Sequence, residues 1–203
     1  MPSLQDLLSS MTNRLVFITV VIYFAVQETL YANVLTGFEM FSWQLPNFKP
    51  WQLFTHMFLH GDLLHLAFNM FALWSFGRIL ESIWGVQRFI MFYLVCGLGA
   101  AVISQLVDQF IFGPFYGYTV GASGAIYGLL VAFAMMFPNF KIMLIFLPVP
   151  ISAKYFVPVL LLVDLTAGFT GVSIFGQNIA HFAHLGGALM GFLMVMYYKR
   201  LAG

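Results

Sequence analysis

Apolar residues run through this chain in long blocks, and most polar positions fall between them. Six blocks stand out, at roughly 15–32, 63–80, 88–107, 122–137, 155–171 and 179–198. Each approaches the ~20 residues a helix needs to cross a bilayer, the fourth and fifth being short. The second, third and sixth carry little Gly or Pro interruption. The fifth follows LPVPISAK (147–154), where Pro148 and Pro150 stop any helix arriving from Lys141. No tract is of low complexity and no internal repeat is visible, which gives an inverted-repeat transporter no support. The pattern predicts an all-α membrane protein, a bundle of six transmembrane helices forming one domain over 1–203. A short tail at about 1–12 precedes it, and a long loop at about 33–62 joins the first two helices.

Composition strengthens that picture. The chain is 62% hydrophobic and only 7% charged, against ~25% charged in soluble domains. A net charge of +1 gives no case for nucleic acid. The single cysteine, Cys96, excludes a disulfide framework and a cysteine-based zinc site. The opening MPSLQDLLSS lacks a basic n-region and a small-residue cleavage site, so it does not read as a signal peptide. Numbering the sides by alternation puts Arg14, Arg78, Arg88, Lys141, Lys154, Lys199 and Arg200 on one side and Lys49 alone on the other. Positive charge marks the cytoplasmic side, so both termini are expected there and the loop at 33–62 outside. That loop holds FSWQLPNFKPWQLFTHMFLHG, too apolar for a free loop and expected half-sunk in the membrane interface.

Depth then selects residues. Ser123 opens the fourth span and Asn139 lies near its inner end; sixteen residues of helix rise ~24 Å, short of the ~30 Å hydrocarbon core. The chain before it, FGPFYGYTVGA, must therefore dip into the membrane, where irregular backbone survives only inside protein or along a wet cavity. His184 stands roughly 22 Å above Lys199, and His65 roughly 20 Å above Arg78, by the same measure. One serine and two histidines thus share a level, and polar groups at that depth usually face the bundle interior.

A serine needs a base to act as a nucleophile at neutral pH, and His184 and His65 are both candidates. His65 and Asn69, four apart, share a helix face, and an amide is an effective oxyanion donor. The backbone N–H groups at the start of the fourth helix are unpaired and partly positive. Nucleophile, base and donors together are what acyl transfer requires. Gly124 with Gly128 and Gly187 with Gly191 are small-xxx-small pairs that let two helices approach closely.

With HxxxN (His65 and Asn69), GASG (121–124) and AHLGG (183–187) in that order, the chain resembles the rhomboid intramembrane serine proteases over about residues 10–200. The resemblance implies six helices, a Ser–His dyad and hydrolysis of peptide bonds in membrane-anchored proteins. Carried over, Ser123 is the nucleophile and His184 the general base. His65, Asn69 and the Ser123 backbone N–H form the oxyanion hole. Tyr127 packs against the histidine, and Gly121 and Gly124 support the site. No cofactor or metal is implied; the partners are transmembrane protein substrates and the lipid bilayer. The stretch from Trp51 through His56 to His60 matches the family's external-loop signature, and Glu81 with Gly85 matches the turn after the second helix. Gln52 departs from the pattern, since the family often has there an arginine that braces the loop. A bacterial inner (cell) membrane is the expected residence, and with no carboxylate in the dyad turnover is expected to be slow. Substrate helices are expected to enter laterally past the fifth helix and to unwind at weak helix formers.

Other readings attach to the same residues. His181 with His184 (three apart) and His56 with His60 (four apart) are possible zinc pairs, but neither has an acidic ligand nearby in sequence. His56 and His60 read instead as structural hydrogen-bonders of the loop, and His181 as lining the cavity mouth. Asp164, a carboxylate within the fifth span, is a functional candidate by position: it is open to pairing with Lys154, to capping a polar network, to facing substrate, or to orienting His184 as a triad member. Glu28 is expected to snorkel or to bond the loop. Two rival functions remain: a non-catalytic rhomboid-like protein that binds transmembrane helices, and a histidine-based metal transporter or channel. The second lacks the paired intramembrane acids such a pathway usually uses.

Overall fold

A computed structural model describes residues 9–27, 37–144, 147–171 and 180–202. The protein is mostly helical. Helix α1 (Met11–Val21) winds on through wider turns at Ile22–Gln27. A short α2 (Gln52–Thr55) and a tight turn (His56–Phe58) lie in the segment that follows. Then come α3 (Leu63–Trp84), α4 (Val86–Phe112), α5 (Ser123–Met136), α6 (Ala153–Thr170) and α7 (His181–Ala202). Among the described residues, α3, α4 and α6 are long and apolar enough to cross a membrane, while Met11–Ala25 and α5 are shorter apolar helices. Glu28 lies outside the described residues.

The expectation of an all-α chain needs one correction. Between α5 and α6 the chain forms an antiparallel hairpin, β1 (Lys141–Leu144) and β2 (Leu147–Ser152), with Lys141 opposite Ser152 and Ile142 opposite Ile151. Pro148 and Pro150 do stop a helix, but a two-stranded hairpin consists of edges, where proline is tolerated. Lys141 Nζ donates to Ser152 Oγ at 2.9 Å, which ties the strand ends together.

Two local devices orient the bundle. Glu81, buried in α3, receives the Met11 and Thr12 backbone N–H groups at 2.7 and 2.8 Å and the Thr12 hydroxyl at 2.6 Å. A carboxylate there satisfies orphan donors and complements the positive end of α1. Gly85 turns the chain from α3 into α4 with φ +78°, a conformation that disfavours any side chain. The core, built on Leu73, Leu80, Phe89, Phe92, Tyr93 and Leu129, lies among α3, α4, α5 and α7.

The tightest packing is between α5 and α7. A Cβ on Gly187 would stand 1.8 Å from the Gly124 carbonyl oxygen, and one on Gly191 would stand 2.6 Å from Gly128 Cα. Backbone meets backbone here, as the glycine spacing predicts. Larger residues would force the helices apart and separate the side chains they carry.

Candidate active site

Ser123 is the first residue of α5, so its N–H is among those that helix geometry leaves without an intrahelical partner. The glycine seam brings α7 close enough that the Ser123 hydroxyl and His184 Nε2 are 2.8 Å apart. Tyr127, one turn along α5, stacks on the His184 ring with centroids 4.2 Å apart and planes 11° from parallel. This is the packing that the resemblance implies for Tyr127.

The other ring nitrogen of His184 has a partner that the sequence left among several alternatives. Asp164 of α6 is 0% exposed, and its Oδ1 accepts from His184 Nδ1–H at 3.1 Å. The same oxygen lies 2.5 Å from His181 Nδ1, and the Tyr127 hydroxyl donates to Oδ2. Two earlier expectations are thereby corrected. His181 does not line a cavity mouth: it is buried against Asp164, because three residues along a helix place it on the face of His184. Asp164 does not pair with Lys154, whose ammonium instead lies over the Tyr155 ring at 5.2 Å. The histidine therefore has a carboxylate neighbour, contrary to the expectation of a dyad with none. A hydrogen bond at Nδ1–H fixes the tautomer and leaves the Nε2 lone pair for the serine.

On the opposite side, Asp62 caps α3 by accepting the His65 N–H at 2.8 Å. The resulting helix start aims the His65 ring at Gly121. A Cβ on Gly121 would stand 2.8 Å from His65 Nε2 and 3.7 Å from Ser123 Oγ, and its φ is +123°. Glycine is thus required there twice, by backbone conformation and by the imidazole. Asn69, buried one turn further along α3, donates from Nδ2 to the His65 carbonyl at 3.1 Å. Gly124 has an independent constraint, since a Cβ would come within 2.5 Å of Ala100 Cβ.

Beside the serine is a cavity of about 10 Å³, lined by Ser123, Gly121, His56, Met57, Ala180 and Ala183 among others. That is about enough for the centre of one water. The segment before α3 helps to enclose it. Gly121 N–H donates to the His56 carbonyl at 2.9 Å, and Met40 and Thr119 exchange backbone hydrogen bonds at 3.0 and 2.8 Å. His56 Nδ1 lies 2.9 Å from the Gln52 carbonyl, in keeping with a structural role. Burial holds His56 down at about 4 and His60 at about 3, so both are neutral near pH 7.

Gln52 takes over the bracing role. Its Oε1 accepts from Phe41 N–H at 3.3 Å and Lys49 N–H at 3.1 Å. Its Nε2 donates to the Gly37 and Asn47 carbonyls, both at 3.1 Å. A neutral amide thus ties both arms of the loop without placing a charge in a fully buried position. Gln105 of α4 fixes the same loop to the bundle, accepting from Trp43 N–H and donating to the Phe41 carbonyl, both at 2.9 Å. No sequence signal singled out Gln105; a buried amide in a long apolar helix is the cue that points to it.

The family model of the Rhomboid domain matches residues 47–201. Among curated proteins, the chain is 33% identical over 143 residues to "Rhomboid protein 1, mitochondrial" of Saccharomyces cerevisiae, covering 70% of this chain and 40% of that one. It is 36% identical over 145 residues to "Presenilin-associated rhomboid-like protein, mitochondrial" of Homo sapiens, covering 71% and 37%. It is also 36% identical over 143 residues to "Rhomboid protease GluP" of Bacillus subtilis, covering 70% and 25%. The matched region thus spans well under half of each relative. With mitochondrial proteins among them, they lend no support to a bacterial cell membrane as the residence. A domain match over most of the chain, together with relatives sharing a third or more of the aligned residues, makes this chain a member of the rhomboid family.

Proposed function

We propose that this rhomboid is an intramembrane serine endopeptidase, with Ser123 as nucleophile and His184 as general base. The observation that carries the reading is the 2.8 Å contact between Ser123 Oγ and His184 Nε2 at the start of a short apolar helix. In the forward step, His184 Nε2 takes the Ser123 proton as Oγ bonds to a substrate carbonyl carbon. The oxyanion is held by the Ser123 N–H, Asn69 and His65, a class of donor whose loss typically costs ~10²–10³ in rate. The intermediate collapses as His184 gives its proton to the leaving amine. Water then attacks the acyl ester with His184 again as base, releasing the acid and restoring the serine. Asp164 acts as a positioning residue: by accepting Nδ1–H it holds His184 in the productive tautomer.

Substrates in this reading are single membrane-spanning helices that unwind at Gly, Pro or other weak helix formers. Six helices span the bilayer with both termini cytoplasmic, as the Lys and Arg distribution favours. Water reaches the serine from the external side.

The test is incubation of the reconstituted chain with a panel of single-span substrates and mass spectrometry of the products. Cleavage should be present in the wild type and absent in Ser123→Ala, with the fold of the variant unchanged by circular dichroism. Equal cleavage by Ser123→Ala would overturn the nucleophile assignment.

A further inference from the structure

Asp164, His181 and His184, all buried, each offer one ligand atom within 4.8 Å of the other two, and Asp164 Oδ1 faces Nδ1 of both rings. Two imidazole nitrogens and one carboxylate oxygen are a donor set suited to Zn²⁺, and three protein ligands with one open position are a common zinc arrangement. His-x-x-His on α7 aims two rings at one point, and α6 supplies the acid from across the interface. A tetrahedral zinc with bonds near ~2.1 Å keeps its ligand atoms ~3.4 Å apart. The Asp164–His184 separation of 3.1 Å is already close to that. The Asp164–His181 separation of 2.5 Å would open by about an ångström, a side-chain adjustment. Tyr127, donating to the other carboxylate oxygen, would orient the ligand from outside.

We propose that Asp164, His181 and His184 form a site for Zn²⁺ or a similar borderline divalent cation, and that occupancy switches the serine off. The reason is the tautomer of His184. Without metal, Nδ1 carries the proton toward Asp164 and Nε2 presents a lone pair to Ser123. A metal on Nδ1 uses that nitrogen's lone pair, so the neutral ring must carry its proton on Nε2. An N–H facing Ser123 cannot accept the serine proton. One cluster is thus orienter and base when empty, and a ligand set when filled. Hard cations such as Mg²⁺ prefer oxygen donors and would not compete at two imidazoles. Inhibition rests on the Ser123–His184 reading above; metal binding does not.

The experiment uses the full chain purified in detergent and stripped with chelator. Binding is read by titration calorimetry with Zn²⁺ and by the visible spectrum of Co²⁺ as its stand-in; cleavage of a single-span substrate is followed in parallel. One Zn²⁺ per chain is expected, with cleavage reduced at least tenfold at saturation, restored by chelator and unaffected by Mg²⁺. His181→Ala and His181→Gln should each bind Zn²⁺ at least about tenfold more weakly. Their inhibition, scored against each variant's own metal-free rate, should move to higher Zn²⁺ by the same factor. Wild-type cleavage indifferent to saturating Zn²⁺ would overturn the switch. Zn²⁺ affinity unchanged in both variants would overturn the site. Absence of cleavage in chelator would count against the protease reading alone. The Co²⁺ spectrum would then decide the site: a signal lost in His181→Ala supports it, and no signal in the wild type overturns it.

Discussion

Helix α7 meets α5 on one side and α6 on the other, and the two contacts are built on opposite principles. Against α5 the closest approach is made without side chains, since Gly187 and Gly191 lie directly on Gly124 and Gly128, and Ser123 and Tyr127 meet His184 beside that seam. Against α6 the contact includes a single carboxylate, Asp164, reaching His181 and His184. The buried residues of α6 are few and mostly small (Ala153, Val157, Asp164 and Ala167), while Tyr155, Val159, Leu162 and Phe169 point outward. A seam of backbone on backbone has no rotamers to rearrange, so it holds the Ser123–His184 spacing fixed. A helix held partly by a polar post can shift as a body once that post is broken. In the proposed enzyme, the first contact is the ruler of the site and the second is the movable wall.

The strongest way to break this comparison is to fill the seam. In Gly187→Val a Cβ would be placed 1.8 Å from a backbone oxygen that cannot swing aside. Overpacking at flexible sites costs ~1–3 kcal/mol, and this position should lie at or beyond the upper end. The apparent Tm in detergent should fall by roughly 10 °C, with cleavage lost. A variant with wild-type Tm would show that the seam is looser than its geometry states.

Breaking the post should act differently. Asp164→Asn keeps the shape but removes the carboxylate that selects the His184 tautomer. The expected result is a fall in kcat of about 10²–10⁴-fold with KM little changed, while the Tm moves by only a few degrees. Asp164→Glu should recover part of the rate. A loss of kcat below about tenfold would mean that Tyr127 stacking alone orients the base.

These two contacts also differ in how far the chain itself announced them. Glycines four apart on two apolar spans predict close approach, because only a packing partner explains them at that spacing. Ser123, His65 and His184 were brought to one level by counting helical rise, which needs no tertiary information. Asp164 was visible as a costly carboxylate in a span, with His184 only one of several partners left open. Its place depends on how α6 is rotated, which is decided by packing against α5 and α7 and by no periodic pattern of its own. Gln52 shows the converse limit. Departure from a usual arginine flagged the position, yet the four hydrogen bonds that replace the charge follow from loop geometry alone. The hairpin at Lys141–Ser152 was hidden because prolines report where a helix stops, not what replaces it.

Acid should separate the segment before α3 from the seam. The closest approach between α5 and α7 is made by backbone atoms of Gly124, Gly128, Gly187 and Gly191, whereas His56 and His60 are buried neutral over the site. His56 drops from 6.5 to about 4 and His60 from 6.5 to about 3, mainly because burial disfavours the charged ring. The unfolded chain therefore binds more protons than the folded one in this window. Stability from these groups is complete above about pH 6.5 and is lost as pH falls toward 4. For His56 the full effect is on the order of 3 kcal/mol. Thermal unfolding followed from pH 8 to 4.5 should give a Tm that is flat, then declining below about 6.5. In His56→Asn the decline should be shallower; an identical slope would assign it to other groups.

The smallest effect should appear at the C-terminal end of the movable wall, and its direction is the informative part. Phe169 of α6 meets Phe182 of α7 edge-on with centroids 5.4 Å apart, and Phe112 at the end of α4 with centroids 6.0 Å apart. Phe112 and Phe182 are 5.3 Å apart, closing the triangle. Such pairs are worth ~0.5–1.5 kcal/mol each, enough to hold a helix end that has few other anchors. If α6 must move for a substrate helix to reach Ser123, Phe169→Ala should raise the open population and with it the cleavage rate, by roughly twofold to tenfold. The seam would be untouched, and the Tm should fall by only a few degrees. Gain of rate despite that small loss of stability is the signature of a latch, because a residue that merely packs the fold lowers both when removed. A fall in both would make Phe169 structural and move the entrance elsewhere along α6.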